Sequence, residues 1–269
     1  MALLQVNFLS ETLQRRVPLQ VILPVDKKSL DDPIAPDAKP LKTLYLLHGL
    51  FGTYVDWVNE TRIVKWAMEK RLAVVMPAGE NSFYVDPPVD DVLNRNFGEF
   101  IGRELVEVTR RMFPLSDKRE DTFIGGLSMG GFGAIRNGLK YHQTFSHIIA
   151  LSAAFHVFAE DKPDTAIDER LTVYMESCLG DLQIAEKSDK NPKYILETLK
   201  AKKAFEQIVE LPKLYMACGV DDYLITANRI YQKIFEQYNW EHMYIEDKGD
   251  HDWEFWDTYI EKALAWLPI

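Results

Sequence analysis

The run from Thr122 to Gly133 constrains the fold of this chain more than any other part of the sequence. Its first three residues, Thr-Phe-Ile, are typical of a strand, and a helical pattern directly follows Gly-Leu-Ser-Met-Gly at 126–130. A strand–turn–helix of this kind holds Ser128 in a strained backbone conformation, which requires small neighbours. Gly126 and Gly130 provide that space, so the pattern predicts a nucleophilic serine. The alternative is a glycine-rich turn whose serine has no chemical role.

Apolar runs typical of strands alternate with helical patterns on both sides of this turn. We predict strands at 43–47, 73–76, 122–124, 147–151 and 214–219, and helices at 56–70, 96–112 and 129–141. Two further apolar runs, 3–9 and 17–23, are predicted to form an opening hairpin. The alternation predicts an α/β fold with a mostly parallel central sheet and helices on both faces. We expect one domain, residues 1–269, because the candidate site residues are spread over the whole chain.

The alternation breaks between residues 152 and 210. About sixty residues stand where a strand–helix connection usually needs far fewer. This segment leaves the carboxyl edge of the sheet, where ligands bind in open α/β folds. We predict a small helical cap at about 152–210, with helices at 170–178 and 192–207; the alternative for part of it is the ordinary crossover helix. Its apolar residues at helical spacing either face a pocket or anchor the segment to the sheet; they are Leu171, Tyr174, Met175 and Leu179.

A nucleophilic serine needs a histidine to accept its proton and a carboxylate to orient that histidine. The G-x-S-x-G elbow is typical of α/β-hydrolases, in which the acid and then the histidine follow the serine along the chain. Only His242 and His251, of the six histidines, lie far enough downstream. His242 opens an apolar run that predicts a strand, whereas His251 lies in a turn before the last helical pattern. We therefore predict His251 as the base, the alternative being a surface-loop histidine.

The acid is expected on a turn after the preceding strand, at 214–219. Asp221 and Asp222 both lie there, before a helical pattern begins. Either one could face the histidine while the other caps the helix or meets solvent. The residues by themselves leave this choice open.

Four motifs in the same order resemble the esterase D family of α/β-hydrolases, in its bacterial tributyrin-esterase branch, which is related to S-formylglutathione hydrolases. The resemblance spans nearly the whole chain. The motifs are LLHGLFG at 46–52 with Asp56 and Trp57, FIGGLSMGG at 123–131, CGVDDYL at 218–224 with Asn228, and GDHDW at 249–253 with Trp256. In that family the acid is the second member of the acidic pair, so the resemblance implies Asp222.

Acyl transfer also requires hydrogen-bond donors for the negative charge that develops on the carbonyl oxygen. One expected donor is the backbone amide of Met129, directly after the nucleophile. The resemblance implies that the second is the amide of Leu50, in the loop after the strand at 43–47. His48, in the same loop, precedes the nucleophile and is predicted to be structural.

The segment 81–88 follows another strand at the same sheet edge. The resemblance implies an aromatic residue here, near the serine, with Phe83 and Tyr84 as the candidates. We predict substrate contacts at Tyr84 and at Phe51 of the Leu50 loop; the alternative is that the aromatic residues at 83 and 84 pack their loop against the core.

Composition limits the partners of this chain. A net charge of −10 argues against binding nucleic acid or anionic membranes through bulk electrostatics. Residues 1–10 do not look like a secretory signal, and no apolar run approaches the ~20 residues of a membrane span. Cys178 and Cys218 form no metal-binding pattern. We expect a cytoplasmic protein with reduced cysteines that acts on a small-molecule ester without a metal or cofactor. Formation of a homo-oligomer is left open.

These observations predict a serine carboxylic-ester hydrolase with Ser128, His251 and Asp222 as the triad. The resemblance implies short-chain acyl esters of the tributyrin or acetyl type. Two alternatives use the same chemistry. One is thioester hydrolysis by an S-formylglutathione hydrolase, and the other is acyl transfer of the mycolyltransferase type.

Overall fold

The computed structural model describes residues 1–25, 40–88, 93–158, 169–204 and 210–269, without the side chains of 169–172 and 203–204. Its strands are β1 (Ala2–Ser10), β2 (Arg15–Leu23), β3 (Lys42–Leu47), β4 (Leu72–Pro77), β5 (Thr122–Leu127), β6 (His147–Leu151), β7 (Lys213–Gly219) and β8 (His242–Asp247). They form one sheet in the order β1-β2-β4-β3-β5-β6-β7-β8. β1 and β2 pair as an antiparallel hairpin and β2 lies antiparallel to β4, whereas all other neighbours are parallel.

Along the chain, each of the parallel strands β3 to β8 is followed by one or more helices, as the alternation predicts. They are α1 (Asp56–Glu60), α2 (Ile63–Glu69), α3 (Phe97–Glu99), α4 (Leu105–Met112), α5 (Met129–Lys140), α6 (Glu169–Leu179), α7 (Leu182–Glu186), α8 (Pro192–Ala204), α9 (Ile225–Gln237) and α10 (Trp253–Trp266). A π-helical turn, Phe100–Glu104, joins α3 directly to α4. The opening hairpin is confirmed as well.

The prediction of one helix over 56–70 is wrong, because the backbone breaks at Thr61. This residue is extended (φ −133°, ψ 169°) and ends α1. Its hydroxyl donates to the Trp57 carbonyl and accepts from the Ile63 amide at 3.2 Å. A threonine side chain that bonds nearby backbone groups competes with the helical pattern, and here it separates α1 from α2.

Buried side chains form two clusters, one on each face of the sheet. Leu44 and Leu46 of β3 belong to one cluster together with Trp57 of α1. The alternate residues Tyr45 and Leu47 belong to the other, which includes side chains of α4, α5 and α9. Because successive side chains of a strand point to opposite faces, helices must cover both faces of the sheet. The predicted α/β architecture is confirmed.

The segment between β6 and β7 contains α6, α7 and α8. α8 packs against α5 and α9, which is the position of an ordinary crossover helix. Met175 and Leu179 of α6 are buried in the core cluster, and the Tyr174 hydroxyl donates to the Asn81 carbonyl. These three side chains anchor the segment. Leu171 has its side chain outside the described part of the chain, and the role of the segment as a cap stays a prediction.

A buried arginine also ties this segment to α5. The Arg136 side chain is fully buried, and its guanidinium donates to the Asp189 carbonyl at 2.9 Å and to the Asp189 carboxylate at 3.0 Å. Lys140, one turn further along α5, contacts the same carboxylate at 2.6 Å. Asp86, in the loop after β4, lies 3.5 Å from Arg136 and 3.1 Å from Lys140. One charge cluster therefore joins α5 both to the loop after β4 and to the segment between β6 and β7.

Glu104 closes the turn between β1 and β2. Its carboxylate accepts hydrogen bonds from the Ser10 hydroxyl at 2.6 Å and from the amides of Glu11 and Thr12 at 2.7 and 3.2 Å. Burial by itself would raise the pKa of Glu104, but these hydrogen bonds hold it below the ordinary value. Because the pKa is lower in the folded state, the ionised carboxylate stabilises the fold above the unfolded-state pKa of about 4.3. This contribution is lost as the pH falls through the folded-state value.

We expect Glu104→Gln to lower the free energy of unfolding by about 1–3 kcal/mol at pH 7, because the amide cannot satisfy all three donors. The difference from the parent should shrink as the pH falls below about 4. Urea unfolding at several pH values measures both effects. Glu107→Gln is the matched control. The Glu107 side chain is exposed, and its carboxylate lies 3.9 Å from the guanidinium of Arg103, one helical turn earlier. Its substitution should lower the free energy of unfolding by less than about 1 kcal/mol. Equal stability of Glu104→Gln and the parent at pH 7 would show that the carboxylate does not stabilise the hairpin turn.

Candidate active site

Ser128 occupies the sharp turn between β5 and α5. Its backbone is strained, with φ 53° and ψ −120°. A Cβ at Gly126 would lie 2.5 Å from the Gly130 backbone, and one at Gly130 would lie 2.5 Å from the Leu47 carbonyl oxygen. Only glycine fits at these two positions, so the small neighbours expected from the sequence are required by close backbone approach.

Neighbouring strands hold this turn in place. The Ser128 amide donates to the Leu151 carbonyl at the end of β6 at 2.8 Å. The Ser128 carbonyl accepts from the amides of Phe132 at 3.0 Å and Ala154 at 3.1 Å. The backbone of the serine is therefore bonded to its own helix and to the loop after β6.

The structure brings the three predicted triad residues together in one hydrogen-bonded chain. His251 Nε2 lies 3.1 Å from Ser128 Oγ, and His251 Nδ1 lies 2.9 Å from Asp222 Oδ2. A proton on Nδ1 that is donated to the carboxylate leaves Nε2 free to accept the serine proton. The other downstream histidine, His242, begins the edge strand β8, as predicted.

The adjacent aspartates have different surroundings. Asp222 is buried, and its second carboxylate oxygen accepts from the Leu224 amide at 2.8 Å. Asp221 is exposed, and its amide donates to the Gly249 carbonyl at 3.1 Å. Of the pair, Asp222 is the one that contacts His251, as the family resemblance implies.

Hydrogen bonds keep the Asp222 carboxylate ionised despite its burial. Burial alone would raise its pKa, but hydrogen bonds from His251, Ser152 and the Leu224 amide bring the pKa below the ordinary value. The Ser152 hydroxyl accepts from Trp256 Nε1 at 3.1 Å, so its own proton is available to Asp222. Sequence reasoning missed Ser152. Its only signal was its place directly after a predicted strand at the carboxyl edge of the sheet.

Two aromatic rings contact the imidazole of His251. The Trp256 ring lies 4.9 Å away, centroid to centroid, and is nearly perpendicular to it. The Tyr223 ring lies 4.6 Å away at an angle of 49°. Trp256 is buried, whereas Tyr223 is largely exposed. Tyr223 and Trp256 both belong to the sequence motifs, but the motifs predicted no contact of either ring with the histidine.

The two predicted oxyanion donors come from segments that meet beside Ser128. A Cβ at Gly49 would lie 3.5 Å from Ser128 Cβ, so the loop after β3 runs directly against the serine. Met129 is the first residue of α5, where backbone amides are left without helical partners. Within the described ranges, neither the Leu50 nor the Met129 amide donates a hydrogen bond. Both are therefore available to an oxygen atom near Ser128.

His48 fixes the loop that carries Leu50. Its Nε2 accepts from the Gly79 amide at 2.9 Å, so Nδ1 carries the proton and donates to the Gly49 carbonyl at 2.8 Å. Burial lowers the pKa of His48 and favours this neutral form. The predicted structural role of His48 agrees with these contacts.

Of the two residues predicted to contact the substrate, Tyr84 is buried and Phe51 is exposed. Tyr84 is fully buried, and its hydroxyl donates to the His48 carbonyl at 3.0 Å. Its ring offers no surface to a substrate, so the predicted contact is replaced by the alternative: Tyr84 packs beneath the loop. Phe83 is also buried. Phe51 is 82% exposed, so its ring is accessible beside Leu50. The Phe51 amide donates to Asn81 Oδ1 at 2.8 Å.

His156 is a further imidazole near the triad that sequence reasoning did not single out. It lies in a short 3₁₀ turn, Phe155–Val157, after β6. Its Nδ1 is buried and has no hydrogen-bond partner among the described residues. Burial and the nearby charge of His251 lower the pKa of His156 to about 4. The ring is therefore neutral at the pH at which a histidine base operates.

The described residues hold neither a metal cluster nor a membrane-spanning helix. They contain no group of three or more His, Cys, Asp or Glu side chains placed to hold a metal ion. Nor do they include a helix with the length and apolar character needed to cross a membrane.

Comparison with known proteins supports the resemblance. Residues 10–267 match the family described as "Putative esterase". The chain is 44% identical over 269 residues to an acetyl esterase of Caldicellulosiruptor saccharolyticus, covering 99% of this chain and 98% of that protein. It is also similar to the substrate-bound structure of FphF, a fluorophosphonate-binding serine hydrolase of Staphylococcus aureus. That match has 31% identity, a TM-score of 0.82 and coverage of 99% and 98%.

A second structure, the apoenzyme of an S-formylglutathione hydrolase from Staphylococcus aureus, matches with 30% identity and a TM-score of 0.81. It covers 99% of this chain and 98% of that one. The predicted resemblance to esterase D-type α/β-hydrolases is therefore confirmed. The match over nearly the whole length and the relative at 44% identity show that this chain belongs to the esterase family of α/β-hydrolases.

Proposed function

We propose that this esterase hydrolyses short-chain carboxylic esters, with Ser128 as nucleophile, His251 as general base and acid, and Asp222 as the residue that orients His251. The observation that supports this assignment is the hydrogen-bonded chain from Ser128 Oγ through the imidazole to the Asp222 carboxylate, with distances of 3.1 and 2.9 Å. Such a chain is the arrangement needed to activate a serine hydroxyl.

The reaction proceeds in two halves. Ser128 Oγ attacks the acyl carbon while His251 Nε2 takes the hydroxyl proton, which gives a tetrahedral intermediate. The bond from the acyl carbon to the alcohol oxygen then breaks, and His251 returns the proton to the departing alcohol. Water attacks the acyl-enzyme with His251 again accepting a proton. The acid leaves as that proton returns to Ser128 Oγ.

The amides of Leu50 and Met129 are proposed to stabilise the oxyanion of both tetrahedral intermediates. The positive end of the α5 dipole adds to the effect at Met129. Loss of one such donor typically costs about 3 kcal/mol of transition-state stabilisation. Fixed donors are effective because they need no reorganisation during the reaction, and the bonds of His48 to Gly49 and Gly79 fix the Leu50 loop.

The relatives support a preference for short acyl groups. The relative at 44% identity is named an acetyl esterase, which favours an acetyl ester as substrate. The structural neighbour at 30% identity is an S-formylglutathione hydrolase, which makes thioester hydrolysis the second candidate. Both reactions use the same triad, so the chemistry of the leaving group distinguishes them.

We expect Ser128 to be the single residue that reacts with a fluorophosphonate probe, because within the described parts of the chain its hydroxyl is the one that bonds to Nε2 of the proposed base. Mass spectrometry of the labelled protein should show one adduct, located on the peptide that contains Ser128. Ser128→Ala should abolish labelling and ester hydrolysis while the circular dichroism spectrum stays that of the parent. Labelling or turnover that persists in this variant would rule out the proposed nucleophile.

We expect Asp222→Asn to lower kcat by about 10⁴-fold, because an amide no longer selects the imidazole tautomer that the reaction requires. Asp221→Asn is the matched control. Its side chain is exposed and does not contact His251, so its effect should be about twofold or less. Steady-state kinetics on one acetyl ester measures both variants. A larger loss in Asp221→Asn would reverse the assignment of the acid.

A substrate series tests acyl length and the thioester alternative. Acetyl, butyryl and hexanoyl esters of one alcohol are compared with S-formylglutathione. We expect kcat/KM to be highest for acetyl and to fall with chain length, because each methylene that a pocket does not accommodate alters the free energy by about 1–3 kcal/mol. Turnover of S-formylglutathione more than tenfold faster than that of the acetyl ester would favour the thioesterase.

A further inference from the structure

Tyr223 is an exposed aromatic residue in contact with the proposed catalytic base. It follows Asp222 in the turn between β7 and α9, and 69% of its surface is accessible. Its ring lies 4.6 Å from that of His251. Its hydroxyl makes no hydrogen bond within the described parts of the chain. A large aromatic ring thus lies at the triad with most of its surface facing solvent.

The orientation of His251 is already determined by other residues. Asp222 bonds to Nδ1, and the buried Trp256 packs edge-on against the imidazole. Trp256 is itself held by its hydrogen bond to Ser152. Tyr223 has no comparable anchor among the described residues, and 69% of its surface is open to solvent. Its exposed surface is therefore available to another molecule.

The reaction geometry specifies which part of an ester comes next to this ring. His251 Nε2 must protonate the departing alcohol oxygen, which requires a distance of about 2.6–3.2 Å. The alcohol portion of the ester therefore lies beside the imidazole that Tyr223 contacts. The acyl carbonyl oxygen points instead to the Leu50 and Met129 amides. Tyr223 can thus contact the alcohol portion from its position next to His251.

We propose that Tyr223 forms the alcohol-binding surface of this enzyme and selects esters whose alcohol presents a flat apolar face, either an aromatic ring or the face of a pyranose. The proposal rests on the proposed function, since it requires His251 to protonate the alcohol. Aromatic rings stack favourably on flat apolar surfaces. The exposed carboxylates of Asp221 and Asp250, close in sequence to Tyr223 and His251, favour a neutral alcohol over an anionic one.

The test keeps the acyl group fixed and varies the alcohol. Ethyl acetate, benzyl acetate and a monoacetylated methyl glucopyranoside all give the same acetyl-enzyme. We expect Tyr223→Ala to lower kcat/KM about two- to tenfold for one or both ring alcohols. The value for ethyl acetate and the rate of acetyl-enzyme hydrolysis should stay at the parent level. Loss for benzyl acetate alone identifies an aryl alcohol as the ligand, and loss for the glucoside alone identifies a pyranose.

Matched variants separate this role from a structural one. Tyr223→Phe should retain the parent profile, because stacking does not need the hydroxyl. Tyr194→Ala removes a tyrosine that is 39% exposed on α8, without a ring contact to His251, and should leave all three values unchanged. An equal loss for all three esters in Tyr223→Ala would show that the ring positions His251 and would overturn the proposal. No change for any ester would overturn it as well.

Failure of the Tyr223 proposal can be distinguished from failure of the triad. If Ser128→Ala kept turnover, the proposed function itself would fail. If Ser128→Ala lost all activity and Tyr223→Ala kept the parent alcohol profile, only the alcohol-binding surface would fail. The rate of fluorophosphonate labelling of Tyr223→Ala should match the parent, which verifies that the triad is intact in the variant.

Discussion

The site depends on the strained turn at Ser128 and on the strand ends that hold it. A serine with φ 53° is unfavourable by itself, and it persists because its backbone is bonded to β6 through Leu151 and to the following loop through Ala154. Close contact of Gly130 with the Leu47 carbonyl brings β3 to the same point. Parallel pairing of β3, β5 and β6 is thus what allows Ser128, the Leu50 loop and Ser152 to meet at one sheet edge.

Backbone strain recurs along this edge. Phe51, Phe83, Tyr84 and Ser152 also have positive φ values, from 47° to 62°, and each follows the end of a parallel strand. Their strain is offset by local contacts, such as the bond from the Phe51 amide to Asn81 and the bond from the Tyr84 hydroxyl to His48. Strained residues that surrounding contacts hold in place are typical of sites that must be preorganised. The loop proposed to bind the oxyanion and the proposed nucleophile are therefore set by the fold before a substrate arrives.

The sequence predicted those parts of the fold and site that local patterns determine. Ser128 and His251 could be found because an elbow and a turn before a helix have recognisable residue patterns. Asp221 and Asp222 could not be separated, since adjacent residues differ only in the direction of their side chains, which tertiary contacts decide. The same limit explains Tyr84, whose depth in the core depends on the packing of Gly79 and Gly133 around its ring. The break at Thr61 was missed because a side-chain hydrogen bond, rather than periodicity, ends α1.

Asn81 connects the segment after β6 to the loop that carries Leu50. Its side-chain oxygen accepts from the Phe51 amide at 2.8 Å, while its carbonyl accepts from the Tyr174 hydroxyl and, at 3.3 Å, from the Cys178 thiol. A displacement of α6 would act through these bonds on the backbone next to Leu50. Acyl-chain selectivity and oxyanion stabilisation are then physically linked, because the helix proposed to belong to the cap and the loop proposed to bind the oxyanion share one asparagine. A substitution in α6 that disturbs Asn81 would change kcat for every ester, whereas one that alters only the shape of a pocket would change the acyl-length profile.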